Sequence, residues 1–308
     1  MEAGINFVVM GLGHIGKRHA EMVLRQKGAH LVAIIDVLSQ DSLDLGDYTG
    51  LAIPHFYTFS EFLASGLQAQ VLNVCTPNGL HAEHALAALN AGLHVVIEKP
   101  MALHDADCEI LMATALAKKL HIFTVMQNRY SPPAVWIKEI VDAKIMGDLF
   151  LMQLDCYWNR DERYYTKNSW HGNKALDGGT LFTQFSHFID MMLWLFGDIK
   201  NIDAVFKNFN HAGLTDFEDS GFIRFEFVNG GMGLLNFSTA VFEQNLGSSM
   251  TILSENGSIK IGGQYMNIVE HCNIKNYQMP ILAETAAGNH YGAYTGSAQN
   301  HHLVIENV

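Results

Sequence analysis

Lys99 and His187 are the two side chains whose positions suit proton chemistry. Lys99 sits in Glu98-Lys99-Pro100, directly after an apolar run over residues 93–97 that reads as a strand. An ammonium at a strand's carboxyl end can donate a hydrogen bond to a hydroxyl, or to an oxygen gaining negative charge. Beside a pyridinium its charged form is disfavoured, and Pro100 admits either a cis or a trans bond. His187 lies in a stretch expected to form one helix over residues 179–196. Thr183 is four residues before it and Asp190 three after, so the three share a helix face. A histidine near its neutral pKa is the usual base for a hydroxyl proton. Each has a plainer alternative: a surface lysine in a turn, and a core histidine among Phe182, Phe185, Phe188 and Ile189.

A second constellation concerns phosphates. Residues 5–10 are apolar and run into Gly11-Leu12-Gly13-His14-Ile15-Gly16. A helical pattern follows, then a second apolar run over residues 31–35 ending on Asp36. Strand, glycine turn, helix, strand and acid is the dinucleotide-binding order. Gly11 permits a tight turn, Gly13 keeps side-chain bulk away from a pyrophosphate, and Gly16 lets helix and strand pack closely. The helix N-terminus offers free N–H groups to phosphate. Asp36 suits an adenosine ribose diol and would repel a 2′-phosphate, so NAD is expected rather than NADP.

The elements that position these groups come next. The chain has 308 residues, enough for two domains with sizeable cores, and 49% of them are hydrophobic. Apolar runs near residues 55–57, 71–74, 93–97 and 121–126 alternate with helical patterns at 59–63, 81–91 and 105–120, with Ser60 a cap for the first. Residues 39–54 read as a loop or short helix. This alternation means βαβ units and a parallel sheet. Ligands sit at the carboxyl ends of such strands, which places residues 11–16, Asp36, Thr76-Pro77-Asn78, Glu98-Lys99-Pro100 and residues 127–129 on one rim.

After residue 143 the pattern changes. Residues 149–158, 199–209, 218–227, 232–239 and 250–254 read as strands without long helices between them, and Asn229-Gly230 and Asn256-Gly257 as hairpin turns. The expected fold is α/β: an N-terminal Rossmann parallel sheet over residues 1–128, then an α/β domain with a mostly antiparallel open sheet over residues 129–308.

Several function classes are disfavoured. The net charge is −12 and basic residues do not cluster, which argues against nucleic acid and anionic membranes. No apolar run reaches membrane-spanning length, and no secretion signal opens the chain. Cys75, Cys108, Cys156 and Cys272 are scattered without a CxxC, as suits a reducing cytoplasm. His81 and His84 share a helix face, but no third ligand is spaced to complete a metal site, so no metal is expected.

Together these residues resemble the Gfo/Idh/MocA oxidoreductases. The matching features are GLGHIG at residues 11–16, Cys75-Thr76-Pro77-Asn78 with His81, Glu98-Lys99-Pro100, and Gly178-Gly179-Thr180-Leu181 running to His187 and Asp190. They span almost the whole chain in the family's order. The resemblance implies an NAD-dependent oxidation of a sugar or cyclitol secondary alcohol, and a homodimer or homotetramer built on the open sheet. It also implies that Lys99 donates a hydrogen bond to the reacting oxygen while His187 takes its proton, with Thr183 and Asp190 orienting His187. The expected cofactor-binding set is Gly11, Gly13, His14, Ile15, Gly16, Asp36, Thr76, Pro77, Asn78, His81, Glu98, Lys99 and Asn128. Arg129, Tyr157, Arg163 and Trp170 are expected, with Lys99 and His187, to line the sugar pocket.

Two departures from the family pattern bear on the substrate. Many members carry Asp four residues before the histidine, where this chain has Thr183, and Phe185 replaces a glycine. Members acting on nucleotide-linked sugars often have a neutral polar residue at the first position. Arg129-Tyr130-Ser131-Pro132 and Tyr294-Thr295-Gly296-Ser297 also look similar to the UDP-N-acetylglucosaminuronate 3-dehydrogenase branch. A free sugar or inositol as substrate stays open, as does a non-catalytic dinucleotide-binding regulator, although a regulator needs neither Lys99 nor His187. Residues 297–308 begin an amphipathic helix, where members usually continue.

Overall fold

A computed structural model of the chain describes residues 4–43, 52–166, 169–292 and 294–308. The expected loop over residues 39–54 falls partly outside them. The chain divides into two compact units. One comprises Met1–Val125, Ala175–Gly178 and His301–Val308. The other comprises Met126–Lys174 and Gly179–Asn300. The first unit thus includes two short late segments, 175–178 and 301–308.

The first unit opens with β1 (Ile5–Met10), α1 (His14–Arg25), β2 (Ala29–Ile35), β3 (His55–Phe56), α2 (Phe59–Ala64) and β4 (Val71–Val74). Then follow α3 (His81–Asn90), β5 (His94–Ile97), α4 (Asp105–Lys118) and β6 (Ile122–Thr124). The strands form one parallel sheet in the order β3-β2-β1-β4-β5-β6. Its apolar runs exist because both faces are covered. Val8, Met10, Ile35, Leu72 and Val74 pack with Ala85, Leu89 and Leu111, while Val9 and Ile34 pack with Leu12 and Ala20. The cap of α2 is Thr58 rather than Ser60. Its hydroxyl accepts from the Glu61 N–H while Glu61 reaches back, a capping box.

The second unit contains α5 (Pro132–Asp142) and β7 (Leu149–Tyr157). Next is α6 (Lys174–Asp177), most of which belongs to the first unit, then α7 (Thr180–Thr183) and α8 (Ser186–Phe196). Strands β8 (Ile199–Lys207), β9 (Ser220–Phe227), β10 (Met232–Ser238), β11 (Gly247–Ser254), β12 (Gly257–Gly262) and β13 (Ile268–Ile274) join β7 in the order β13-β12-β11-β7-β10-β9-β8. All pairs are antiparallel except β7 with β10. Asn229-Gly230 lies in the turn from β9 to β10, whereas the turn from β11 to β12 is Glu255-Asn256, with Gly257 opening β12 opposite Ser254. One sheet face carries Met152, Leu154, Phe225, Phe237 and Ile252 into a core with Ile137, Phe188 and Met192 of α5 and α8. Phe150, Phe222 and Met232 stay exposed. The hairpin β14 (Gly288–His290) with β15 (Thr295–Ala298) follows. The chain then enters α9 (His301–Glu306), which packs on α1 in the first unit.

The single helix expected over residues 179–196 is two. Phe185 leaves the helical path at φ −114°, ψ 5°, and its amide bonds to the carbonyl of Thr180. The break lets Phe185 bury completely against Trp158 and Phe237, and burying a full aromatic ring outweighs an interrupted hydrogen-bond ladder.

Candidate active site

In the first unit the glycine turn lies where β1 ends, beside the ends of β2 and β4. Gly11 has φ +87°, and a Cβ there would stand 2.8 Å from the Cys75 carbonyl group. Only glycine suits both demands. Gly13 faces open space, with no atom within 4 Å of an added Cβ. No side-chain cap bond closes the N-terminus of α1, which starts at His14 after Gly13. An anion such as a pyrophosphate fits this cradle. Ile15 and Gly16 lie in that first turn.

Asp36 follows β2. One carboxylate oxygen accepts from Leu12 N at 2.6 Å and the other from Leu38 N at 2.9 Å. The acid therefore ties the glycine turn to the next strand, and each oxygen keeps a lone pair for a ribose hydroxyl.

After β4, Thr76 and Asn78 are turned to structural partners. Thr76 Oγ1 lies 3.0 Å from His84 Nδ1, and Asn78 Nδ2 donates to Asp177 O at 2.8 Å. Pro77 precedes a short 3-10 turn, Asn78–Leu80. A Cβ on Gly79 would stand 2.1 Å from Ala175 O, so segment 175–178 rests directly on this turn. His81 is fully buried, with Nδ1 2.7 Å from Pro100 O and Nε2 2.8 Å from Thr76 O. It bridges the loops after β4 and β5, and burial lowers its pKa against the pull of those carbonyls.

Lys99 follows β5 and its bond to Pro100 is cis. Its neighbour Glu98 is buried, with Oε1 3.0 Å from His19 Nε2 and Oε2 accepting from Lys99 N at 3.2 Å. His19 is held in turn by Asn73 Nδ2 at 3.1 Å, and His301 Nε2 lies 3.7 Å from Glu98 Oε1. Burial alone would raise the pKa of Glu98, but the His19 hydrogen bond and the nearby positive groups outweigh it and bring the value to about 2. Among the described residues, His19, Glu98 and His301 are the one buried set of histidine and carboxylate groups close enough together to resemble metal ligands.

In the second unit, His187 is the second residue of α8 and 2% exposed. Thr183 ends α7 and is also buried. Asp190 gives both carboxylate oxygens to Arg129, whose Nε lies 2.8 Å away, and that guanidinium also covers Trp194. These bonds orient the Arg129 guanidinium. Asn128 is buried and its Oδ1 accepts from Ala298 N. Tyr157 donates to Asp155, and burial with that carboxylate's charge pushes its hydroxyl up to about 12. Arg163 pairs with Asp161, and the Trp170 ring lies tilted against that of His171 at 3.9 Å.

The sequence reading passed over Arg160. The residue is 1% exposed, and its guanidinium donates to Gln184, the Asn159 and Thr295 carbonyls and Asn245, and meets the rings of Trp158, Tyr164 and Tyr294. Through Gln184 it holds the turn between α7 and α8 that leads into His187. The aromatic clustering around it, Trp158 and Tyr164-Tyr165, was the available signal. No helix among the described residues is long and apolar enough to cross a membrane.

Comparison with known proteins agrees with this fold. Residues 5–126 match the profile of the oxidoreductase family with an NAD-binding Rossmann fold, and residues 135–260 that of the GFO/IDH/MocA C-terminal domain. The WlbA dehydrogenase from Bordetella pertussis, solved with NADH and UDP-GlcNAcA, superposes with a TM-score of 0.83 at 28% identity over 89% of this chain and 83% of its own. That from Chromobacterium violaceum, solved with the same two ligands, gives 0.84 at 26% identity over 90% and 79%. Oxidoreductase P35 of Formosa agariphila is 25% identical over 66% of this chain and 64% of its own length. The match thus spans less than two thirds of that curated relative. The two matched profiles and the shared fold establish that this chain belongs to the Gfo/Idh/MocA oxidoreductase family, with its NAD-binding Rossmann domain.

Proposed function

We propose that this protein is an NAD-dependent dehydrogenase that oxidises a secondary hydroxyl of a nucleotide-linked sugar, with UDP-N-acetylglucosaminuronate and its 3-position as the leading candidate. The observation that carries the reading is the pairing of an open glycine cradle with Lys99 at the end of β5. The likeness to two dehydrogenases solved with NADH and UDP-GlcNAcA supports the substrate class. Bound NAD supplies the hydride acceptor. Lys99 donates a hydrogen bond to the substrate oxygen and stabilises its developing charge. His187 takes the hydroxyl proton. Arg129, Tyr157, Arg163 and Trp170 are offered as sugar contacts and Thr183 as a neighbour of the base. Three of these have duties already visible, Arg129 to Asp190, Tyr157 to Asp155 and Arg163 to Asp161.

The exposed apolar residues Phe222 and Met232, on the face of the seven-stranded sheet away from its core, support a homodimer or homotetramer built on that face. Four free cysteines suit a reducing, cytoplasmic setting.

The test is NADH formation with UDP-N-acetylglucosaminuronate, other UDP-sugars, free aldoses and myo-inositol, each with and without 2-oxoglutarate, beside a Lys99→Ala control. 2-Hydroxyglutarate is assayed in parallel, since recycling hides NADH. Turnover of the UDP-uronate, lost in the control, supports the reading. Turnover confined to free sugar or inositol removes the nucleotide-sugar assignment.

A further inference from the structure

We propose that His19 is a positioning residue for Lys99, acting through the Glu98 carboxylate. The inference rests on the assignment of Lys99 to the reacting oxygen. One carboxylate joins two elements: Oε1 accepts from His19 of α1 at 3.0 Å, and Oε2 accepts from the backbone N–H of Lys99 at 3.2 Å. Asn73 of β4 donates to His19 Nδ1 at 3.1 Å, which leaves the ring's single proton on Nε2, aimed at Glu98. A line of hydrogen bonds therefore runs from the sheet through α1 to the peptide of Lys99. His301 closes it from α9, with its ring edge-on to His19 at 5.9 Å. Asn73, His19, Glu98 and His301 are all at most 7% exposed.

The arrangement has an electrostatic consequence. A carboxylate this buried stays ionised only while something donates to it. The groups that face it are His19 from α1, His301 from α9, His81 from α3, Cys75 after β4 and Lys99 itself, with Arg18 acting on His301. His19 alone among these histidines and the cysteine makes a hydrogen bond to it. Without His19, the interaction that most opposes burial is gone, the pKa of Glu98 rises, and its hold on the Lys99 backbone and its negative charge beside Lys99 both weaken. The same three groups have the chemistry of a metal site, but the proton on His19 Nε2 occupies the position that a metal would need.

The experiment follows the rate at which acetic anhydride acylates Lys99 across a pH series, read by mass spectrometry on the full chain. Wild type, His19→Leu, His19→Gln and Glu98→Gln are compared, each with its melting temperature, NAD affinity, kcat and KM. His19→Leu and Glu98→Gln are expected to label Lys99 about tenfold faster near neutral pH, with the profile moved toward acid. His19→Gln keeps an amide donor and is expected to restore the wild-type profile. For the two charge-losing variants, kcat falls while KM for NAD holds. An unchanged Lys99 profile in a folded His19→Leu protein overturns the proposal. If that variant does not fold, Glu98→Gln gives the same reading. Zinc or another divalent ion retained by purified wild type and lost in His19→Leu overturns it too. If the wild type oxidises no sugar, the functional reading fails, while the acylation profile still decides the role of His19.

Discussion

A Cβ placed on Gly16 would stand 1.7 Å from the carbonyl oxygen of Gly11. The helix that follows the glycine turn is thus pressed against the turn's own backbone, and no rotamer relieves the contact. Gly16→Ala is expected to destabilise the first unit by about 1–3 kcal/mol and to weaken NAD binding with it. Gly13→Ala meets nothing within 4 Å. It is expected to melt like wild type while still losing NAD affinity, because its methyl enters the space offered to a pyrophosphate. Fluorescence titration with NAD beside thermal melting separates the two.

Asp36 should decide between the two dinucleotides. Its carboxylate is held by Leu12 N and Leu38 N, so it cannot swing away from a 2′-phosphate without releasing the turn. Asp36→Ser is expected to shift the ratio of NAD to NADP affinity toward NADP by about tenfold, roughly 1.4 kcal/mol. Paired binding titrations with both cofactors check it; an unchanged ratio would remove Asp36 from cofactor recognition.

Acid should unfold this protein through Glu98 and His301. Burial, against the pull of Glu98, pushes the His301 imidazole down to about 3, from 6.5 as the free group. Between those values the unfolded chain binds more protons than the folded one, so stability falls as pH falls. Glu98, brought from 4.5 to about 2, adds the same sign over its own lower window. Each group contributes at most about 1.4 kcal/mol per pH unit inside its window. Urea unfolding as a function of pH should show this slope. His301→Leu should make it shallower above pH 4.5, where Glu98 does not yet contribute but the buried His81 and His211 still do.

Arg160 should not tolerate lysine. Its fork reaches Gln184 and the carbonyls of Asn159 and Thr295 at once, between three aromatic rings. A single ammonium cannot reproduce that geometry. Arg160→Lys is expected to cost about 2 kcal/mol or more in denaturant unfolding. It should also lower kcat, because Gln184 lies in the turn ahead of His187. A variant as stable as wild type would deny the arginine its structural role.

Local chemistry made much of this protein legible from its sequence. The strand–glycine–helix–strand–acid order carries its own backbone demands within residues 5–36, and periodicity separates the parallel sheet from the antiparallel one. The place of Lys99 after β5 and the two hairpins of the second sheet were likewise visible, because each depends on neighbours in the chain. What the tertiary structure decided depends on groups far apart in sequence. Phe185 breaks the long helix because Trp158 and Phe237 offer it a buried site. Asp190 pairs with Arg129, sixty-one residues earlier. His19, Glu98 and His301 meet only because α1, β5 and α9 fold together. No periodicity encodes such meetings; they exist because burial of charged and aromatic groups is tolerated only where the rest of the chain supplies partners.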